Sequence, residues 1–232
     1  MKLLLENWRK FINEIEEPIT TLRIFDFDET IAHKESETRV TAPDGSTATL
    51  RDQKEFEEYM QQSAAKEGIE TFDPVRDLQE IGYQIDLSDF SIVKNPLEIS
   101  IVTDIVKKFT DTSKTYIMTA RRGNSLGPIM NYLDEIGINS SQIRPIATQG
   151  ESKGDVMVAM MKNKIMDNGK SNINKIEYYE DSQKNIDDVL NKICNNPEIN
   201  DIKPPSFELI INKVINNDGR YTIQKIYCNR NN

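Results

Sequence analysis

Residues 22–30 read LRIFDFDET, and this stretch decides the fold. An apolar run of β-favouring side chains leads into two aspartates at alternate positions, Asp26 and Asp28, and Thr30 follows two residues later. Because side chains alternate between the two faces of a strand, both carboxylates lie on one side and can share a site. Two buried acids on one face are costly unless a cation lies between them. The stretch therefore predicts a strand that ends in an acidic, cation-binding site.

The size and charge of the chain limit its class. At 232 residues, with 37% hydrophobic and 29% charged residues, it can bury a core as one domain or as a core with an insertion. Its net charge of −9 argues against broad binding to nucleic acid or anionic membranes. No apolar run is long enough for a membrane span, and residues 3–5 are too short for the core of a signal peptide. Cys194 and Cys228 are too few for a disulfide framework, so we expect a reducing, cytoplasmic setting.

The sequence lacks the residues that several other kinds of catalytic centre require. His33 is the only histidine, which excludes histidine-rich zinc sites and histidine-nucleophile phosphatases. A Cys-x5-Arg phosphatase loop is absent, since Asn200 stands six residues after Cys194. Residues 169–171 (Gly-Lys-Ser) resemble the end of a P-loop, but Lys164 occupies the required upstream glycine position, so we interpret them as a polar turn.

The segment between residues 31 and 110 does not alternate regularly between strand and helix. Its predicted pieces are a β-hairpin at Thr38–Leu50, a helix at Asp52–Glu67, strand-like alternation at Ile81–Ile92 that is broken by Ser88-Asp89, and a helix from Pro96 to about Phe109. Such a segment is typical of an insertion after the first strand.

From residue 114 onward, strands and helices alternate. The predicted strands are Lys114–Thr119, Gln142–Ala147, Lys175–Glu180, Phe207–Val214 and Tyr221–Tyr227. The predicted helices are Ser125–Ile136, Lys153–Met166 and Asn185–Cys194. This alternation implies right-handed crossovers and a parallel sheet with helices on both faces. The sequence therefore predicts an α/β fold.

Chemically useful side chains follow four consecutive sheet elements. They are Asp26, Asp28 and Thr30 after the first strand, Thr119 and Arg121 after the second, Lys153 after the third, and Glu180, Asp181 and Asn185 around the end of the fourth. Because an open parallel sheet presents its active site beyond the carboxyl ends of its strands, we expect these side chains to meet at one edge.

The same residue types suit phosphoryl transfer. A carboxylate such as Asp26 can attack phosphorus, and Asp28 can protonate the leaving alkoxide and then deprotonate the attacking water. Thr119, Lys153 and backbone N–H groups after Asp26 would hold the equatorial phosphate oxygens. Clustered carboxylates repel a phosphate unless a hard cation such as Mg²⁺ is bound between them, here by Asp26, Asp181 and the backbone carbonyl of Asp28.

With these motifs in place, the chain resembles the haloacid dehalogenase-like (HAD) superfamily of Mg²⁺-dependent phosphohydrolases. The matching motifs are Asp26-x-Asp28-x-Thr30, Thr119, Lys153 and Glu180-Asp181-x3-Asn185. The similarity covers residues 21–212. It implies a Rossmann-like core at residues 19–30 and 111–228 with strand order 5-4-1-2-3, and a flap with a small cap at residues 31–110.

The resemblance also implies roles for individual residues. It makes Asp26 the nucleophile, Asp28 the acid/base, Thr119 and Lys153 phosphate ligands, and Asp26, Asp28 and Asp181 metal ligands, with Thr30, Arg121, Glu180 and Asn185 in support. Asp28 favours phosphoryl chemistry over the dehalogenase branch, which lacks that acid. Glu29 stands where glycine is commoner.

Plainer interpretations stay open for some of these side chains. Lys153 is also compatible with a solvated surface lysine. Arg121 and Arg122 are as compatible with surface charges at a helix start as with substrate recruitment. Asn185 is equally suited to capping the following helix.

The first 18 residues are predicted to form a separate N-terminal arm. Residues 3–16 have the periodicity of an amphipathic helix, which either packs on the domain or forms a mobile arm. The run LENWRKFINE (residues 5–14) also resembles the capsid-targeting tags of T4-like phages, which a prohead protease cuts after (Leu/Ile)-x-Glu. Ile12-Asn13-Glu14 fits such a cut and would imply association with a phage capsid.

The predicted function is a Mg²⁺-dependent phosphatase that acts on a small phosphorylated metabolite or nucleotide. One alternative is a polynucleotide end-phosphatase, which would require Arg39, Arg51, Arg121 and Arg122 to converge. The other is a non-catalytic, virion-associated protein of the same fold, located in the host cytoplasm or the virion.

Overall fold

The computed structural model describes residues 21–33, 37–51, 53–70, 73–109, 114–165 and 169–228. The predicted N-terminal helix and capsid tag lie outside these residues. Within them the strands are β1 (Thr21–Phe25), β2 (Ala32–His33), β3 (Thr38–Thr41), β4 (Thr47–Leu50), β5 (Gln84–Asp86), β6 (Leu97–Glu98), β7 (Thr115–Thr119), β8 (Ile143–Ala147), β9 (Lys175–Glu180), β10 (Glu208–Asn217) and β11 (Arg220–Tyr227). The α-helices are α1 (Gln53–Lys66), α2 (Pro74–Glu80), α3 (Ser100–Phe109), α4 (Leu126–Glu135), α5 (Lys153–Lys162), α6 (Gln183–Val189) and α7 (Pro197–Ile202).

The main sheet has six strands in the order β11-β10-β9-β1-β7-β8. All neighbours pair in parallel except β10 and β11, which form an antiparallel hairpin. The predicted α/β class with a mostly parallel sheet is confirmed. Numbered by chain order within the sheet, the strands run 6-5-4-1-2-3, which differs from the predicted 5-4-1-2-3 because β11 adds an antiparallel strand outside β10.

Strand β1 lies inside this sheet between β9 and β7, and apolar clusters cover both of its faces. Leu22 and Ile24 are buried in a cluster with side chains of α5 and α6, whereas Phe25 is buried in a second cluster with side chains of α3 and α4. A strand covered on both faces is rich in apolar residues, and in β1 the polar exceptions are Thr21 and Arg23, which lies 2.9 Å from Glu177. The polar residues that follow it therefore emerge at the carboxyl edge of a rigid sheet.

A small unit interrupts the chain between β2 and β6. Strands β4, β3 and β5 form an antiparallel sheet, and with α1 and α2 they enclose a separate core that includes Val40, Met60 and Leu78. The predicted hairpin is confirmed. Within the predicted strand-like stretch Ile81–Ile92, the described strand is β5, and the predicted break at Ser88-Asp89 is a short 3₁₀ helix, before which the Asp86 carboxylate accepts from the Ser88 N–H.

Helix α3 belongs by its packing to the main sheet, although the sequence analysis placed it with the insertion. Val102 and Val106 are fully buried in the same cluster as Phe25 and Phe27. The reason is the amphipathic stripe of α3, which covers one face of the sheet. The small unit is therefore confined to the residues before β6.

The C-terminal part contains a cross-link that the sequence analysis did not expect. Cys194 and Cys228 form a disulfide, with their Cα atoms 5.8 Å apart. Cys194 ends a π-helical turn that continues α6, and Cys228 directly follows β11. The bond thus ties the end of the chain's last described strand to the helix beside β9. None of the described helices is long and apolar enough to cross a membrane.

Candidate active site

Three carboxylates meet at the carboxyl edge of the main sheet. The backbone N–H of Asp26 donates to the carbonyl of Tyr179 (2.9 Å), which fixes the end of β1 beside the end of β9. As a result, Asp26 lies next to Glu180 and Asp181, and each contributes a carboxylate oxygen within 4.8 Å of the other two. Asp26 and Glu180 are buried, at 5% and 1% exposure. Parallel pairing thus brings together acids that are about 150 residues apart in sequence.

Lys153 lies inside this acid cluster. Its ammonium is 2.5 Å from Asp26 Oδ1 and 2.7 Å from Glu180 Oε2, and the residue is only 2% exposed. Lys153 is therefore not a solvated surface lysine. Since a buried ammonium is stable only among acceptors and opposite charges, the two carboxylates explain its position.

The cluster holds three carboxylates and one ammonium, and its carboxylates have shifted pKa values. Burial raises the pKa of Asp26 to about 8, with Lys153 opposing and Glu180 adding to the shift. Burial also raises the pKa of Asp181 to about 9, and the nearby charges of Asp26 and Glu180 raise it further. Burial alone would raise the pKa of Glu180, but the charge and hydrogen bond of Lys153 lower it. The ammonium of Lys153 therefore favours the ionised form of Glu180. Asp26 and Asp181 instead favour their protonated forms unless a cation binds beside them.

Glu180 has most of its carboxylate occupied by protein donors. Oε2 accepts from Lys153 and from the hydroxyl of buried Tyr178, and Oε1 accepts from the Ser182 N–H at 3.0 Å. Glu180 is thus suited to orienting Lys153, whereas Asp26 and Asp181 are the more available ligands. Tyr178 was not among the predicted site residues, although its position two residues before Glu180 places both on one face of β9.

Asp28 lies apart from the three-acid cluster. Its carboxylate accepts from Arg121 Nη2 at 3.0 Å and from Arg121 Nε at 3.1 Å. Glu29, which follows, has φ 57°, in the left-handed region that favours glycine. The metal ligand predicted at Asp28 is its backbone carbonyl. The side-chain contacts do not test that prediction.

Arg121 connects Asp28 to the end of the small unit. It is 4% exposed, and Nη1 donates to the Ile92 carbonyl at 2.6 Å. Its guanidinium also lies 5.4 Å from the ring of Phe27. The interpretation of Arg121 as a surface charge is therefore wrong, whereas neighbouring Arg122 is exposed. The physical reason is the Asp28 carboxylate, which compensates the buried guanidinium.

The remaining predicted residues are placed as follows. Thr30 is fully buried, and its hydroxyl donates to Asp181 Oδ1 at 3.3 Å. Thr119 is also fully buried, and its hydroxyl accepts from the Arg121 N–H at 3.2 Å. Asn185 lies half-buried on the first turn of α6, and no hydrogen bond or ion pair found among the described residues joins it to the acid cluster.

The donor set of the cluster fits a hard divalent cation. All three ligating groups are carboxylates, and Mg²⁺, Ca²⁺ and Mn²⁺ are the ions that prefer oxygen ligands. Opposite oxygens around such an ion as Mg²⁺ lie about 4.2 Å apart, so carboxylate oxygens within 4.8 Å of one another are near enough to share one ion. Bound there, the ion would supply the positive charge that Lys153 alone does not.

Fold and site together define an α/β protein with a buried carboxylate–lysine centre at the carboxyl edge of a mostly parallel sheet. Comparison with known proteins gave no matching family model, no matching curated protein and no matching solved structure.

Proposed function

We propose that this protein is a Mg²⁺-dependent phosphomonoester hydrolase of the HAD type that acts through an aspartyl-phosphate on Asp26. The observation that carries the proposal is the charge balance at the end of β1. Three clustered carboxylates face a single ammonium, so the ionised cluster lacks two positive charges. A divalent cation supplies those charges and also neutralises a substrate phosphate.

Asp26 is the proposed nucleophile because it lies at the end of the central strand, beside both Lys153 and the cation ligands. One of its oxygens attacks phosphorus while the bond from phosphorus to the ester oxygen breaks. Lys153 and the Thr119 hydroxyl are the proposed donors to the phosphoryl oxygens. The bound cation would be held by Asp26 and Asp181 and would offset negative charge at the phosphoryl group.

Asp28 is the proposed acid/base because it follows the nucleophile by two residues in sequence and because 26% of its side chain is exposed. It enters the first step protonated, donates that proton to the departing alkoxide and becomes the carboxylate that Arg121 holds. In the second step it takes a proton from water, which attacks phosphorus and displaces the Asp26 carboxylate as inorganic phosphate forms. Arg121 holds Asp28 for both steps.

The substrate is proposed to be a small metabolite or a nucleotide, selected by the segment that ends the small unit. Ile92 contacts Arg121, and Ser91 accepts from the Asn124 side chain at 3.1 Å, so residues 88–92 lie close to the proposed acid/base. A cap in this position would contact the leaving group and exclude water. The polynucleotide alternative gains no support from Arg121, whose guanidinium is committed to Asp28 and Ile92.

The test is hydrolysis of p-nitrophenyl phosphate, followed by a panel of small phosphate esters and 5′- or 3′-phosphorylated oligonucleotides. We expect Mg²⁺-dependent turnover by the wild type and none by Asp26→Asn. Asp187→Asn, on the exposed side of α6, is the matched control and should keep full activity. Equal activity of the wild type and Asp26→Asn would refute the nucleophile. No turnover of any ester would favour the non-catalytic alternative.

A further inference from the structure

The first turn of α5 is held from outside by a carboxylate that the proposed reaction does not use. Asp188 of α6 accepts through one oxygen, Oδ2, from the Ser152 hydroxyl at 2.7 Å and from the Gly154 N–H at 2.9 Å. Ser152 and Gly154 are the two neighbours of Lys153 in sequence. One carboxylate oxygen therefore binds the side chain of Ser152 on one side of the buried lysine and the backbone of Gly154 on the other.

The start of α5 packs closely against α6 and the π-helical turn that follows it. A Cβ atom on Gly154 would lie 2.8 Å from Lys192 Cγ and 3.0 Å from Asp188 Oδ2, so a larger residue requires these neighbours to move. Lys192 also pairs with Asp155 at 2.8 Å. Glycine at this position is thus required by the close approach, and not by a left-handed backbone.

Ser152 both donates and accepts a hydrogen bond at the start of α5. The Ser152 hydroxyl donates to Asp188 and accepts from the Asp155 N–H at 2.9 Å, which caps α5. The Asp188 carboxylate also places a negative charge at the amino end of α5, where the helix dipole favours it. Both effects stabilise one orientation of the turn that carries Lys153.

We propose that Asp188 is a positioning residue that sets the place of the Lys153 ammonium between Asp26 and Glu180. The inference rests on the proposed function, in which Lys153 binds the phosphoryl group. Since Asp188 touches neither of the proposed ligands, substrate and cation, it acts only through the Ser152 hydroxyl and the Gly154 N–H that flank Lys153. Its effect should therefore disappear when Lys153 is absent.

The experiment is a double-mutant cycle on binding of inorganic phosphate in the presence of Mg²⁺, with Asp188→Ala, Lys153→Ala and the double variant. We expect Asp188→Ala to weaken binding about tenfold and to cause no further loss in the Lys153→Ala background. Asp188→Asn should restore most of the affinity because its amide oxygen can accept both hydrogen bonds. Asp187→Ala, one residue away and exposed, should change nothing.

Equal losses from Asp188→Ala with and without Lys153 would overturn the positioning role, as would a similar loss from Asp187→Ala. Ser152→Ala, which removes one of the two hydrogen bonds, gives a second measurement if Asp188→Ala does not fold, and its loss should also vanish without Lys153. Two crystal structures, one of Asp188→Asn and one of an alanine variant (Ser152→Ala or Asp188→Ala), test this inference separately from the proposed function. If Lys153 Nζ keeps its distances to Asp26 and Glu180 in the alanine variant, the inference is refuted, even where the wild type neither binds phosphate nor turns over an ester.

Discussion

The guanidinium of Arg121 holds both carboxylate oxygens of Asp28, with Nη2 3.0 Å from Oδ1 and Nε 3.1 Å from Oδ2. The third nitrogen, Nη1, donates to the Ile92 carbonyl in the insertion. A side chain that is nearly fully buried therefore joins the proposed acid/base to the segment proposed to select the substrate. This arrangement makes the position of Asp28 sensitive to changes at Arg121.

We predict that Arg121→Ala lowers kcat/KM about a hundredfold, because a small displacement of a catalytic group costs about that much. Arg121→Lys should recover only part of the loss, since an ammonium keeps the charge but lacks the two-pronged geometry. Steady-state kinetics with p-nitrophenyl phosphate measures both variants. Arg122→Ala, at the exposed neighbouring position, is the control. Full activity of Arg121→Ala would show that Asp28 needs no such partner.

The hydroxyl of Tyr178 donates to Glu180 beneath the lysine. Because Tyr178 is fully buried, Tyr178→Phe should lower the free energy of unfolding by about 1 to 3 kcal/mol, the cost of removing a hydrogen bond to a charged group. Chemical denaturation measures this change. Tyr179→Phe is the matched control on the same strand, since its ring stacks on Phe25 at a centroid distance of 4.4 Å and its hydroxyl is not bonded to Glu180. Equal losses in both variants would contradict a specific role for the Tyr178 hydroxyl.

The disulfide between Cys194 and Cys228 closes a loop with a sequence separation of 34. Loop-closure entropy for that length predicts a contribution of about 3 to 4 kcal/mol to stability. Urea denaturation with and without reductant should show this difference for the wild type. The double variant Cys194→Ser, Cys228→Ser should match the reduced wild type and be insensitive to reductant. A wild type unaffected by reductant would contradict the prediction.

The parts of the site that could be predicted from sequence are those fixed by strand ends. Asp26, Thr119 and Asp181 each stand at or just after the end of a strand in a parallel sheet, so the topology alone brings them to one edge. Lys153 follows the same logic at the start of a helix. The central place of β1 was implied by the resemblance alone, through the strand order 5-4-1-2-3, and its apolar residues fit a strand covered on both faces.

The parts that could not be predicted depend on where turns and distant segments direct individual groups. The left-handed turn at Glu29 and the partner of Asp28 follow from tertiary contacts that no local pattern encodes. The Ile92 carbonyl reaches Arg121 because residues 91 and 92 lie beside the residues that follow β7. The disulfide likewise depends on the relative positions of α6 and β11, which sequence spacing does not specify.

The pKa values of two buried acids predict a dependence of stability on pH and Mg²⁺. In the absence of a cation, the pKa of Asp26 is raised from 3.8 to about 8 and that of Asp181 from 3.8 to about 9. The folded chain thus keeps protons that the unfolded chain releases above about pH 4. Stability should therefore be greatest, with respect to these two groups, at low pH and should fall as the pH rises through their folded-state values.

A bound divalent cation should reverse this trend because it binds the ionised carboxylates. We predict that Mg²⁺ raises Tm more at about pH 8 than at about pH 6, since fewer protons must then be displaced. Differential scanning calorimetry with Mg²⁺ or with EDTA measures the difference. Asp181→Asn should flatten the pH dependence in EDTA and lose the Mg²⁺ effect, whereas Asp187→Asn should retain both. A Mg²⁺ effect of equal size at both pH values would mean that these acids are already ionised in the metal-free protein.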